Sequence, residues 1–250
     1  MGRSVSIIIP AYNEEKRLPA TLSRIREYLR RGPWGTSDII VVDDGSCDAT
    51  RRIAGDAGAR VLINPSNRGK GYSVRQGMLA ARCDWALLTD ADLSSPIEEL
   101  DKLWAAAEYH SAAVAFGSRA LDRSLIGVHQ PAFRDFSGRF FNFVMRKVTG
   151  LTYRDTQCGF KLFETQAARE IFSRQRLDGF GFDVEVLYIA QRLGYKSVEV
   201  AVRWNDVAGT KVSFWRGVGA FLDLFRVRWN GATRRYNSPS LSETEPVRLA

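Results

Sequence analysis

The stretch Trp85-Ala86-Leu87-Leu88-Thr89-Asp90-Ala91-Asp92-Leu93-Ser94-Ser95-Pro96 decides how the rest of the chain is read. Residues 85–89 are an apolar run of strand length that stops at two carboxylates spaced i, i+2. Ser95-Pro96-Ile97-Glu98 then has the pattern of a capping box with proline at the first helical position. Ionised carboxylates at the end of a buried strand repel one another and are costly to desolvate, so something must compensate them. A hard divalent cation, Mg²⁺ or Mn²⁺, would do so, with Asp90 and Asp92 as ligands and substrate phosphates completing the shell. A solvated turn with a helix cap accounts for the same residues, and this stretch alone does not choose.

Before it, Ser4 to Ile9 reads as a buried strand ending at Pro10. A helix carrying Leu18, Leu22, Ile25 and Leu29 on one face follows, closed by Gly32-Pro33. Asp38 to Val42 is a second strand, stopping at Asp43-Asp44-Gly45-Ser46, where Ser46 is placed to cap a helix running to about Gly58. Arg60 to Ile63 is a third strand; Asn67 to Gly71 is a loop before a helix through Val74, Met78 and Ala81. After the central stretch come a helix burying Leu100, Leu103 and Trp104 and a strand, Ala113 to Gly117, that ends at Ser118-Arg119. Strand and helix alternate, which predicts an α/β fold with a mostly parallel sheet covered by helices on both faces. Such sheets bind ligands outside the carboxyl ends of their strands. Asn13/Glu14, Asp43/Asp44, Asp90/Asp92 and Arg119 all fall on that edge.

The second half is less regular. Ala132 to Thr149 is amphipathic and basic. Asp155 to Lys161 reads as a polar loop or short strand, followed by a helix from about Glu164. Gly179 to Leu193 is a helix, Ser197 to Val202 a strand, and Val207 to Thr210 a loop before Lys211. The last helix, Phe214 to Trp229, aligns Phe214, Val218, Phe221, Leu222, Phe225 and Trp229 in a stripe that either packs on the domain or lies in a membrane interface. Trp215, Trp229, Arg226, Arg228, Arg234 and Arg235 suit the second reading, since aromatic and basic residues favour the headgroup region. The polar tail from Asn237 is expected to be disordered.

The 250 residues are 45% hydrophobic and 26% charged, enough for a sizeable core, and the net charge of +8 favours anionic partners. Three cysteines without CxxC spacing and two distant histidines argue against a zinc site, a disulfide framework or a Ser/His triad. No apolar run reaches the roughly 18–20 residues of a bilayer span, and no signal peptide is expected, since the sequence enters a strand at once. Gly69-Lys70-Gly71-Tyr72-Ser73-Val74 is neither a dinucleotide fingerprint nor a P-loop. Nucleic-acid binding is disfavoured: helix-turn-helix and RNP patterns are absent, and acids at the strand ends would repel phosphates in the absence of a metal.

Ile8-Ile9-Pro10-Ala11-Tyr12-Asn13-Glu14, Val41-Val42-Asp43-Asp44-Gly45-Ser46, Asn67-Arg68-Gly69-Lys70-Gly71 and Asp90-Ala91-Asp92 stand in the order found in inverting family 2 glycosyltransferases of the GT-A fold, which the chain resembles. Asp155-Thr156-Gln157-Cys158-Gly159-Phe160-Lys161, Gly181-Phe182-Asp183-Val184-Glu185 and Val202-Arg203-Trp204 with Gly209-Thr210-Lys211 look like the branch of dolichyl-phosphate glucosyltransferases and mannose synthases, closer to the former. The resemblance covers about residues 4 to 212. It implies a single GT-A domain over residues 1–236, with a nucleotide-sugar half (1–119), an acceptor half (120–212) and an amphipathic helix (213–236), before a tail at 237–250. It implies transfer of a hexose, glucose from UDP-glucose before mannose from GDP-mannose, to a polyprenyl or dolichyl phosphate; a soluble acceptor is the alternative. Pro10, Tyr12 and Glu14 would line the nucleotide pocket, Asp43 would bind uracil and Lys70 would lie near the diphosphate. Asp90 and Asp92 would contact ribose and metal. Arg119 and Lys211 would engage the donor diphosphate or acceptor phosphate, with Arg134 and Gln157 on the acceptor side. Asp183 and Glu185 are the carboxylates to test for a general base. The implied setting is the inner face of the cytoplasmic membrane, with an anionic lipid surface as partner.

Overall fold

Alternate residues of β1 (Arg3–Ala11) point to opposite faces: Val5, Ile7 and Ile9 join one apolar cluster, and Ile8 joins the other. Both faces are therefore covered, as the continuous apolar run predicted. The computed structural model describes residues 3–128, 132–205, 214–239 and 248–249. In order, α1 (Leu18–Arg31), β2 (Trp34–Asp43), α2 (Thr50–Asp56), β3 (Arg60–Ile63), α3 (Lys70–Leu79), β4 (Trp85–Leu88), α4 (Leu100–His110) and β5 (Val114–Ser118) follow β1. Then come β6 (Ile126–Val128), α5 (Ala132–Thr149), β7 (Lys161–Glu164), α6 (Thr165–Arg174), α7 (Phe182–Arg192), β8 (Ser197–Ala201), β9 (Trp204–Asn205), α8 (Phe214–Ala232) and β10 (Arg248–Leu249).

The main sheet has the order β10-β3-β2-β1-β4-β7-β5-β8, and β6 pairs with β9 in a small second sheet. β1, β2, β3 and β4 run parallel, as do β5 and β8. β7 runs antiparallel between β4 and β5, so Lys161, its first residue, sits opposite Leu88, the last residue of β4, and Phe116, two residues before the end of β5. Side chains of α1 and α4 fill one face; those of α3, α6, α7 and α8 fill the other.

Several local expectations give way to tertiary contacts. Ser46 does not cap α2; its Oγ accepts the Asn13 N–H at 2.9 Å and ties the first two strand-end loops together. Ser95 caps nothing either: its Oγ lies 3.8 Å from the Cys158 Sγ, and a 3₁₀ turn at Ile97–Glu99 precedes α4. The tail is not disordered throughout, since β10 pairs antiparallel with β3. On α8 Leu224 and Val227 are buried and Phe221 of the expected stripe packs against the core, whereas Leu222, Phe225 and Trp229 of that stripe are exposed.

Asp44 shows how the sheet edge holds the loops that carry the site. It is buried, and its carboxylate accepts the N–H groups of Arg68 and Gly69, each at 2.9 Å, and the Asn64 amide at 2.8 Å. Asp44→Ala would strand these donors, and hydrogen bonds to charged groups are worth about 1.5–3 kcal/mol each. We expect a loss of about 3 kcal/mol, read in urea as a lower midpoint with an unchanged slope.

Candidate active site

The carboxyl ends of β1, β2, β4 and β5 deliver the polar groups that the sequence placed there. At β4, Asp90 and Asp92 are both partly open. Lys70, the first residue of α3, reaches across to Asp90, Nζ to Oδ1 at 2.6 Å. Burial works against the Lys70 charge, and the Asp90, Asp183 and Asp92 carboxylates more than offset it, so its pKa lies above the ordinary lysine value. Asp92 Oδ1 accepts the N–H and hydroxyl of Ser94, each at 2.9 Å, and its Oδ2 lies 3.9 Å from Arg17 Nη1. Arg17 is itself held by Glu14 at 2.7 Å. A Cβ on Gly159 would overlap the Asp90 carboxylate, so this loop passes as close to the site as backbone can.

Beside it, Arg119 grips Asp155 with Nε at 2.7 Å and Nη2 at 2.9 Å, and stacks 5.4 Å from the Trp204 ring centre. Although burial opposes both charges, the pairing holds Arg119 above and Asp155 below their ordinary values. Lys161, fully buried, pairs with Asp183 and donates to the Cys158 carbonyl at 2.6 Å. Burial still pushes the Asp183 carboxyl above its usual range. Asp183 feels Lys70 and Asp90 as well as Lys161, so these pairs form one electrostatic cluster.

Asp43 is buried and its Oδ1 accepts the Ser46 N–H at 3.1 Å. Pro10 lies in β1, Tyr12 is exposed just beyond it, and the Glu14 N–H donates to Thr50 Oγ1 at 2.7 Å. Gln157 stands beside Asp155, whose Oδ1 takes its backbone N–H at 3.1 Å, while its buried Nε2 has no partner among the described residues. Lys211 and the side chain of Arg134 lie outside the described residues.

The two carboxylates named as those to test for a general base are both held by other groups. Asp183 forms a buried ion pair with Lys161. Glu185 is buried and accepts the N–H groups of Arg176 (3.1 Å) and Leu177 (2.9 Å) and the Tyr236 hydroxyl (2.8 Å). It holds a turn. Sequence reasoning gave no role to Asp155, Lys161 or Arg17. Only the polar run 155–161 pointed to the first two, because a buried lysine beginning a four-residue strand has no periodic signature.

Asp90 Oδ2 and Asp92 Oδ2 are hard oxygen donors of the kind Mg²⁺ and Mn²⁺ take. Among the described residues no group of three or more His, Cys, Asp or Glu could cage an ion. The acids thus fit a cation whose remaining ligands come from a phosphate-bearing substrate and water, rather than a closed protein site.

A profile for Glycosyl transferase family 2 matches residues 6–172. The chain is 39% identical over 241 residues to the dolichyl-phosphate beta-glucosyltransferase of Drosophila melanogaster, covering 89% of this chain and 74% of that one. It is 36% identical over 248 residues to the Homo sapiens protein of the same name, covering 90% and 75%. Among solved structures, glucosyl-3-phosphoglycerate synthase from Mycobacterium tuberculosis in complex with Mn²⁺ and UDP-glucose is similar with a TM-score of 0.64 at 21% identity, covering 96% of this chain and 81% of that one. Mannosyl-3-phosphoglycerate synthase from Rubrobacter xylanophilus gives 0.68 at 18% identity, covering 97% and 78%. Those two likenesses establish the fold, in line with the GT-A architecture the motifs implied.

Burial raises the Glu185 pKa from 4.5 to about 7, against the pull of its three donors. The folded state then holds this proton more tightly than the unfolded one. The contribution to stability is present below pH 4.5 and is lost as pH rises toward 7, by about 3 kcal/mol. Glu185→Gln removes this titration. Melting curves from pH 5 to 8 should therefore fall more steeply for the parent than for Glu185→Gln, and parallel curves would refute the assignment.

Proposed function

The chain belongs to glycosyl transferase family 2, and from that premise we propose that it transfers glucose from UDP-glucose to a polyprenyl or dolichyl phosphate with inversion, giving a β-linked lipid-phosphate sugar. The observation that carries this reading is the Lys70–Asp90 pair beside Asp92, at the carboxyl edge of the sheet, in a chain so similar to dolichyl-phosphate beta-glucosyltransferases. Pro10, Tyr12 and Glu14 would line the nucleotide pocket, and Asp43 would accept from uracil. Lys70, at the N-terminus of α3, would face the donor diphosphate, where charge builds as the sugar leaves. Asp90 and Asp92 would hold Mg²⁺ or Mn²⁺, which when bound stabilises that same charge; the Mn²⁺ in the Mycobacterium fold neighbour supports this.

Arg119, through the Nη1 not committed to Asp155, would meet the acceptor phosphate together with Arg134 and Lys211. Gln157, whose Nε2 has no partner among the described residues, would help line that pocket. A phosphate monoester has a second pKa of about 6 and is largely ionised near neutral pH, so the acceptor needs no base to attack. The commitment of Asp183 to Lys161 agrees with such a reaction.

A lipid-linked acceptor calls for work at a membrane, on this reading the inner face of the cytoplasmic membrane. Among the described residues no helix is long and apolar enough to cross a bilayer. α8 offers a peripheral route: Leu222, Phe225 and Trp229 are exposed on it beside exposed Arg226 and Arg228, and Arg234 and Arg235 follow. Replacing Phe225 and Trp229 by serine should release the protein from anionic vesicles in a sedimentation assay while leaving its melting temperature nearly unchanged. Undiminished sedimentation would remove α8 as the docking element.

The main test is radiolabelled transfer into organic-extractable lipid from UDP-glucose, GDP-mannose and UDP-N-acetylglucosamine, with polyprenyl phosphate and Mg²⁺ or Mn²⁺. Label is expected from UDP-glucose alone and should disappear with chelator. Asp92→Ala should lower the rate at least about 100-fold. Full activity of Asp92→Ala with metal present would overturn the assignment; label from GDP-mannose would change the donor.

A further inference from the structure

Lys70 stands between Gly69 and Gly71, and Gly69 has φ +103°. The entry to α3 therefore turns on a residue with little conformational restraint, so the aim of Lys70, at the first position of the helix, has to be set by its neighbours. Asp44 fixes one end. The other end rests on the segment from Gln175 to Gly181. Gln175, fully buried, donates its side-chain amide to the Gly71 carbonyl at 2.9 Å and to the Leu177 carbonyl at 2.8 Å. The Tyr72 N–H donates to the Asp178 carbonyl at 3.2 Å. Arg75, also buried, donates to the Gln175 carbonyl at 3.3 Å and pairs with Asp178 at 3.2 Å. The approach is close: a Cβ on Gly69 would meet the Asp178 carbonyl, and one on Gly71 the Leu177 carbonyl, each at 2.5 Å.

The same segment is pinned on its far side. Glu185 takes the N–H groups of Arg176 and Leu177, and Tyr236 donates its hydroxyl to that carboxylate. The Arg176 guanidinium donates to the Arg235 carbonyl at 2.6 Å. One amide thus joins the first turn of α3 to the 175–181 segment, and an apolar residue in its place would leave the Gly71 and Leu177 carbonyls without this donor.

We infer that the 175–181 segment is a positioning bridge, and that Gln175, backed by Glu185 and Tyr236, sets the first turn of α3, and with it Lys70, against Asp90 and thereby governs capture of the donor diphosphate. The inference rests on the reading above that Lys70 meets the donor. Gln175, Glu185 and Tyr236 touch no substrate themselves and act through Lys70.

The experiment is a double-mutant cycle on the full chain, with UDP-glucose varied against saturating detergent-solubilised polyprenyl phosphate, and then the reverse. Gln175→Met should raise the KM for UDP-glucose about tenfold and leave the acceptor KM within about twofold. Combined with Lys70→Met it should add nothing to the loss from Lys70→Met alone, because a residue acting only through another is not additive with it. Tyr236→Phe keeps its ring near Tyr188, removes the hydroxyl that donates to Glu185 and accepts the Asn230 amide, and should shift the donor KM in the same direction by a smaller factor. It serves as the test should Gln175→Met fail to fold. An unchanged donor KM, equal loss toward both substrates, or additive losses in the cycle would overturn the inference. If Lys70→Met leaves the donor KM unchanged, the role given to Lys70 falls and the bridge falls with it; if Lys70→Met raises it and Gln175→Met does not, the bridge alone falls.

Discussion

Carboxylates gathered at one edge of a buried sheet must be compensated, and the architecture of this edge follows from that requirement. Asp90 has Lys70, Asp183 has Lys161, Asp155 has Arg119, and Asp44 has two backbone N–H groups. Stability alone does not account for such pairs. Desolvating two charges offsets much of their attraction, and apolar replacements of equal volume are often neutral or better. What the pairs provide is fixed charge in fixed places, which needs no reorganisation when charge develops on a substrate. The antiparallel β7 follows the same logic, since it brings Lys161 to an edge that parallel strands alone would have left dominated by acids.

The balance of charge at the edge also bears on how a donor would be held. Lys70, Lys161 and Arg119 face Asp90, Asp92, Asp155 and Asp183, so carboxylates outnumber cations by one before any ligand arrives. Arg17 does not change this, because Glu14 holds it. A nucleoside diphosphate brings more negative charge into the same space. It would be repelled unless a cation arrives with it, and the open oxygens of Asp90 and Asp92 are where that cation would be shared. On the proposed reading, the acids that look unfavourable for phosphate binding would favour a metal-bound donor over a free one.

Much of this edge was legible in the sequence because it depends on short apolar runs that end at acids. β1, β3 and β4 fall where Ile7, Ile8 and Ile9, Val61 and Leu62, and Leu87 and Leu88 put them, and the polar residues after β1, β2, β4 and β5 come to one edge. The rest depended on partners distant in the chain. Ser46 and Ser95 carry cap signatures, yet Asn13 and Cys158 claim their hydroxyl groups. Asp183 and Glu185 look like two candidate bases two residues apart on one helix. Only the fold reveals that Lys161 holds the first and that the second closes a turn against Tyr236. A partner 22 or 51 residues away leaves no periodic trace in the sequence.

α8 differs from a one-sided amphipathic helix. A helix that only packs on a domain has one apolar stripe and a polar opposite face. α8 has two apolar sides: Leu224 and Val227 turn inward, and Leu222, Phe225 and Trp229 turn outward. From sequence, neighbouring stripes merge into one and the more aromatic of them dominates. The inner stripe fastens the helix to the body of the protein, where Gly231 lies against Tyr188 and Asn230 reaches Tyr236 at 3.4 Å. A helix fixed on one side and apolar on the other cannot swing away to hide its outer face. That face stays presented at a constant position relative to α7, to the turn held by Glu185 and, through Gln175, to the loop of Lys70. If lipid covers it, the height of the donor site above the bilayer is set by these contacts, and the lipid phosphate has to rise to meet a site that is already in place.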